Sequence, residues 1–133
     1  MRVIIALVVG LLAGSLGGIK VYQSLSAGKE VPHAVMWMMG YHMGELGDAI
    51  KGDQCSPAMV SAHIDTLARV AADIEPVFLP IGDDLDALFV DHADALQASI
   101  ESMRSATGTG CEALAAARKT ASEACKGCHR DFR

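Results

Sequence analysis

The chain has 133 residues, enough for one domain and little more. It carries 11 Lys and Arg against 16 Asp and Glu, which gives a formal net charge of −5. Surfaces that bind nucleic acid are basic, so this balance excludes nucleic acid as the expected partner. Aromatic residues make up only 5% of the chain, and Ala, Leu, Met, Asp and Glu are frequent after the first twenty residues. This composition favours an all-α fold.

An apolar segment, residues 3–19, lies between Arg2 and Lys20. A basic residue followed by an apolar run is typical of a secretory signal peptide. At 17 residues, the run also reaches the short end of the membrane-spanning range of about 17–25 residues. No clean A-x-A cleavage site follows it, so we favour an uncleaved anchor over a cleaved signal. Both interpretations predict export.

Three parts are expected in the chain. Residues 1–20 form the signal or anchor, residues 21–31 form a polar tether, and residues 32–133 form the exported domain. The first helix of the domain is predicted from Pro32 to Lys51, because proline suits the first turn of a helix.

Capping residues and apolar spacing predict three more helices. The second helix opens with Ser56 as N-cap and Pro57 at its first position, and prolines at 76 and 80 end it. Its apolar seam, in steps of three and four, consists of Val60, Ile64, Leu67, Ala71, Ile74 and Phe78. The third helix repeats this spacing at Phe89, Ala93, Leu96, Ile100 and Met103. The fourth runs from about Cys111 to Phe132 and is rich in alanine, so the pattern indicates a helical bundle.

The strongest chemical motif is Cys125-Lys126-Gly127-Cys128-His129. C-x-x-C-H attaches c-type haem: the two thiols form thioethers and the imidazole binds iron. On a helix the three side chains stand at i, i+3 and i+4, so they project from one side. A zinc site needs four ligands and no second C-x-x-C occurs, while a thioredoxin-like redox pair should follow a strand. We therefore predict one covalent haem c, tethered by Cys125 and Cys128, with His129 bound to iron.

Several methionines and glycines lie at helical spacing. Methionines in such a pattern are usually core packing, and we expect this for Met39, Met43, Met59 and Met103. A glycine inside a helix costs ~1 kcal/mol relative to alanine, and the first helix has three, at Gly40, Gly44 and Gly47. The close approach of a neighbouring helix or of a planar ligand would account for them.

Four helices, with C-x-x-C-H near the end of the last one and Phe132-Arg133 after it, resemble the cytochrome c′ family of class II cytochromes c. The likeness covers about residues 32–133 and includes Lys51-Gly52 and the segment 76–80. It implies an antiparallel up-down-up-down four-helix bundle. One branch of the family is five-coordinate and high-spin, and binds NO and CO. In the other branch a methionine near the start of the first helix is the sixth iron ligand, and the protein is a low-spin electron carrier.

The resemblance places the sixth-ligand position at Met36, counted back from Lys51-Gly52. In an antiparallel bundle Met36 and His129 both lie within roughly 6 Å of the same end, because a helix rises about 1.5 Å per residue. Other methionines of the first helix lie deeper. His33 is a competing ligand and is expected to be solvated instead. Many relatives have an arginine near the haem propionates where this chain has Pro32, so an arginine after the haem motif would have to replace it.

The two cysteines outside the motif are expected to pair. Cys55 lies between the first and second helices, and Cys111 lies just after the connection between the third and fourth. In an up-down-up-down bundle those connections share one end, and exported proteins sit in an oxidising compartment. We predict a Cys55–Cys111 disulfide. The alternative is two buried, unpaired thiols.

The residues and the resemblance together predict a periplasmic one-electron carrier with His/Met ligation, and no enzymatic activity. The alternatives are a five-coordinate protein that binds NO or CO, and a haem-bearing docking module of a membrane oxidoreductase. Expected partners are redox proteins with a basic docking patch, the membrane through residues 3–19, and a second copy of the chain. We expect His42, His63 and His92 to lie at the surface, or in the core with their hydrogen bonds satisfied. We expect an acidic cluster to form either a solvated surface or the docking patch itself; its residues are Asp83, Asp84, Asp86, Asp91 and Asp94.

Overall fold

The computed structural model describes residues 2–82 and 84–132, and within the first 29 residues it describes only some of the side chains. The described chain is helical, and no strand occurs in it. Its elements in order are α1 Arg2–Lys51, α2 Pro57–Ala72, α3 Ile74–Phe78, α4 Leu85–Ala106 and α5 Cys111–Asp131. This confirms the all-α class and is compatible with a helical bundle.

Helix α1 is much longer than the sequence suggested. It continues through Pro32, so the predicted helix start at that residue is wrong. Residues 21–31 contain one glycine and no proline, and most of the others tolerate a helix well. The helix therefore continues through Pro32, although a proline in a helix interior costs about 3 kcal/mol.

The predicted second helix is divided in two. Helix α2 ends at Ala72, and the short helix α3 then contains Pro76. Ser56 is the N-cap by its extended backbone, although its side chain makes no capping hydrogen bond. Proline is accepted near the start of α3 because the first residues of a helix have no intrahelical partner for their N–H groups.

The core confirms the apolar seams. It contains the predicted α2–α3 residues from Val60 to Ile74, the five seam residues of α4, and Val35, Met39 and Leu46 of α1. Helix α4 packs against both α2 and α5. Met103 and Met39 are buried as predicted, but Met59 is 52% exposed. Met59 precedes Val60 in the first turn of α2 and therefore points off the seam, so its assignment to the core is wrong.

The structure confirms the disulfide between Cys55 and Cys111, whose Cα atoms are 5.2 Å apart. Cys55 lies in the α1–α2 connection and Cys111 is the first residue of α5. Gly108, in the α4–α5 connection, also lies beside Pro57 at the start of α2. The two connections therefore meet.

The chain divides into two compact units, Met1–His33 and Ala34–Arg133. Within the described residues, no helix has a stretch that is both long and apolar enough to cross a bilayer. Many side chains of the apolar segment 3–19 lie outside the described set. Its role as an anchor or signal stays a prediction.

Candidate functional site

The second unit contains an apolar cavity of about 230 Å³. Four helices supply its walls, and α5 contributes the largest share. The lining residues are Met36, Met39, Gly40 and Met43 from α1, Ile74 from α3, His92, Ala93 and Leu96 from α4, and Arg118, Ser122, Ala124, Cys125, Cys128 and His129 from α5. All four predicted site residues line this one cavity.

The haem motif occupies the last turns of α5, so its helical spacing is as predicted. Cys125 and Cys128 are free and half-buried, and His129 is exposed. Burial raises the pKa of both thiols above the ordinary value, and for Cys128 the neighbouring Cys125 and Asp131 raise it further. A reactive C-x-x-C pair needs stabilised thiolates and therefore a lowered pKa. This environment opposes the interpretation as a thiol redox pair.

Contacts between α4 and α5 hold the end of the motif helix in place. The ring of Phe132 packs edge-on against Phe89, with centroids 5.2 Å apart, and against His92 at 5.8 Å. His92 Nε2 also lies 2.9 Å from the Oδ2 atom of Asp131. The main-chain N–H of Phe132 donates to the carbonyl of Cys128. These contacts position the turn that carries Cys128.

The α1 wall of the cavity carries three methionines with different surroundings. Met39 belongs to the buried core at 5% exposure. Met36 and Met43 are half-buried and pack against that core. A Cβ atom added at Gly40 would meet no other atom within 4 Å. The cavity wall therefore has open space beside Gly40.

Arg118 explains one of the three glycines of α1. Its Nε donates a hydrogen bond of 2.9 Å to the carbonyl oxygen of Met43. A Cβ at Gly47 would lie 2.7 Å from the Nη2 atom of Arg118, a distance that forces one of them to move. Glycine at position 47 therefore leaves room for the side chain of Arg118. The expected neighbour was a helix backbone or a planar ligand.

Two lining residues with titratable or charged side chains were missed at the level of sequence. His92 was assigned to the surface or the core, yet it lines the cavity and contacts the end of α5. Arg118 had no predicted role. The signal for it was available, because Arg118, Ser122, Cys125 and His129 follow at steps of four, three and four, which is one face of a helix.

The cavity has the donor set and the walls that a covalent haem requires. Its two thiols are unpaired, whereas the other two cysteines form the disulfide. The imidazole of His129 lies on the same wall as the thiols, and most other lining residues are apolar. Small residues of α5, such as Ala124, border the thiols. Flat apolar ligands bind in clefts of this kind, with a few polar groups fixing their orientation.

Comparison with known proteins identifies the family of the chain. The family model described as Cytochrome C′ matches residues 30–133, and the members of that family bind covalently attached haem c. Searches of curated proteins and of solved structures found no significant match. The match covers most of the chain and includes every predicted site residue, so the chain belongs to the cytochrome c′ family and its cofactor is covalently attached haem c.

Proposed function

We propose that the protein is a periplasmic one-electron carrier in which Cys125 and Cys128 tether the haem, while His129 and Met36 bind the iron from opposite sides. One observation carries the proposal: these four residues, from the first and last helices of the bundle domain, line the same apolar cavity. Bound haem iron supplies one-electron chemistry, and Met/His ligation raises its reduction potential.

Each residue has a separate task in this proposal. Cys125 and Cys128 hold the porphyrin on the α5 side, and the contacts of Phe132 keep their helix turn against α4. His129 adjoins the second tether on the same face. Met36 is half-buried and outside the tightly packed core, so its thioether sulfur is free to turn towards the haem iron, whereas Met39 is held by its core contacts.

We also propose the up-down-up-down arrangement of the four long helices of the domain. The disulfide joins the α1–α2 connection to the beginning of α5, and Gly108 approaches Pro57. Both contacts support a bundle in which these two connections share one end. The haem residues Met36 and His129 then belong to the opposite end.

A second candidate, a five-coordinate protein that binds NO or CO, fits the family equally well. Gly40 supports it, because this lining residue leaves space in the cavity wall and a small diatomic ligand needs room in the cavity. In that protein Met36 would be a wall residue only. The two candidates differ in whether the iron has a free coordination position.

An optical spectrum of the reduced protein, with and without CO, separates the two candidates. The carrier should be low-spin and should not change with CO. Met36→Leu should convert it to a high-spin, CO-reactive form, whereas the matched control Met39→Leu should not. Leucine keeps the volume but has no sulfur, and such exchanges usually cost under about 1.5 kcal/mol. Wild-type protein that already binds CO would refute Met36 as ligand.

The acidic surface supports a redox partner with a basic docking patch. Asp84 is exposed just before α4, and Asp91 and Asp94 are exposed in its first half. Asp86 accepts main-chain hydrogen bonds from Ile81 and Gly82, and Asp83 lies outside the described residues. Charges at such a patch mainly accelerate association. The rate of electron exchange with a basic redox protein should therefore fall steeply with ionic strength, and a rate independent of salt would contradict this docking mode.

A further inference from the structure

Two histidines outside the haem cavity face each other across neighbouring helices. The Nδ1 atom of His42 on α1 lies 2.9 Å from the Nδ1 atom of His63 on α2. Both rings are half-buried, and neither lines the cavity. Neighbouring carboxylates usually orient histidines, but among the residues that the structure describes no carboxylate is hydrogen-bonded to either ring.

The core holds the two positions in place. His42 lies three residues after buried Met39 and four before buried Leu46. His63 lies between buried Val60 and Ile64. Because their helices cannot slide without disturbing these core residues, the two imidazoles stay within reach of each other.

The facing nitrogens have the chemistry of a metal site. Only one hydrogen can lie between them, so at least one presents a lone pair towards the other. Burial, and then the neighbouring His63, lowers the pKa of His42, while Glu45 partly opposes this. Neutral imidazole, with a lone pair on one ring nitrogen, is the form that binds metal ions.

The separation between the two nitrogens is short enough for both to bind one metal ion. Metal–nitrogen bonds are about 2.0–2.1 Å long, so two of them at a right angle separate the nitrogens by about 2.9 Å, and tetrahedral ligands by about 3.3 Å. The observed 2.9 Å is a hydrogen-bond contact, and it brings the two nitrogens as close together as two ligands of one ion. The ring centroids are 5.1 Å apart, so the rings point nearly end to end. Each must rotate about χ2, a broad torsion, before both lone pairs converge on one ion.

We propose that His42 and His63 form a second metal site, for a divalent transition-metal ion and Cu²⁺ in particular. Cu²⁺ prefers tetragonal geometry and binds nitrogen ligands most tightly among the first-row divalent ions. The described residues contain no group of three or more His, Cys, Asp or Glu that could hold a metal. Water therefore completes the coordination, and the exposed Glu45, one turn after His42, adds electrostatic attraction.

Titration of the haem-loaded protein with Cu²⁺ tests this site. We expect one Cu²⁺ per chain, with electron paramagnetic resonance coupling from two nitrogen ligands and tighter binding than for Zn²⁺. His42→Gln and His63→Gln should each weaken binding by at least about tenfold. His33→Gln, an exposed histidine of the same helix, is the matched control and should bind as the wild type does.

Circular dichroism and the haem spectrum of each variant verify that it is folded. Glutamine keeps a hydrogen-bonding group at the site, so the fold is expected to persist. Unchanged affinity in the two folded variants, or coupling from fewer than two nitrogens, would overturn the proposal. Tighter binding of Zn²⁺ than of Cu²⁺ would overturn the choice of a tetragonal ion.

Discussion

Replacing Cys55 and Cys111 by alanine removes the covalent link between the α1–α2 connection and the start of α5. The two residues are 56 positions apart in the chain. A cross-link over a loop of this length reduces the entropy of the unfolded chain, which corresponds to about 4 kcal/mol at 25 °C. In a domain of about 100 residues, each kcal/mol shifts Tm by roughly 4–8 °C. The double variant should therefore unfold roughly 15–30 °C lower.

A double-mutant cycle isolates the bridge from packing. Cys55→Ala and Cys111→Ala each break the same bond, so each single variant should already lose most of the ~4 kcal/mol. The double variant should lose little more than either single one. The haem tethers Cys125 and Cys128 are not altered, so the cofactor stays in place.

Urea denaturation, followed by circular dichroism and by the haem absorption, measures the free energy of unfolding of all four proteins. The slope m should increase in the variants, because an unlinked unfolded chain exposes more surface. Additive losses from the two single variants, or a loss below about 1 kcal/mol in the double variant, would refute the reasoning. Mass spectrometry of the unreduced, alkylated wild type checks independently that the bridge forms.

Three further outcomes are expected. Gly47→Ala should destabilise the wild type, because the added Cβ displaces the Arg118 side chain. In an Arg118→Ala background the same change should stabilise the protein by ~1 kcal/mol, because alanine has the higher helix propensity. Urea denaturation measures both effects, and a change in unfolding free energy of the same sign in both backgrounds would contradict this contact. The pKa of His42 is lowered in the folded state, so with EDTA present the free energy of unfolding should fall as the pH drops below 6.5. His42→Gln should make this fall smaller, and so should His63→Gln, which removes one cause of the lowered pKa. Equal pH dependence in the variants and the wild type would exclude the pair as its source. Full-length protein should fractionate with the membrane, and a variant in which a cleavable signal replaces residues 3–19 should be soluble. If the mature wild-type protein is recovered without residues 3–19, the anchor is ruled out.

Local features of the chain were predictable from its sequence. The spacing of Cys125, Cys128 and His129 depends only on residues within about one helical turn, so neither their common face nor their chemistry required a tertiary structure. The seam of α4 was predictable for the same reason, because burial repeats with the helical period. The Cys55–Cys111 pair was predicted from an up-down-up-down arrangement, in which the two connections share one end.

Local rules failed where packing or continuity outweighed them. Pro32 was a plausible helix start, yet the helix continues through it because neighbouring residues on both sides favour helix. Met59 has a side chain typical of cores, but one position off the seam leaves it exposed.

The tertiary structure alone decided which distant side chains meet. His42 and His63 are 21 residues apart, His92 and Asp131 are 39 apart, and Arg118 reaches Met43 across 75. Each contact depends on how far a helix is rotated about its axis and how it crosses its neighbour. Helical periodicity defines a buried face about 100° wide, and a rotation within that range leaves the seam buried while it exchanges one contact partner for another.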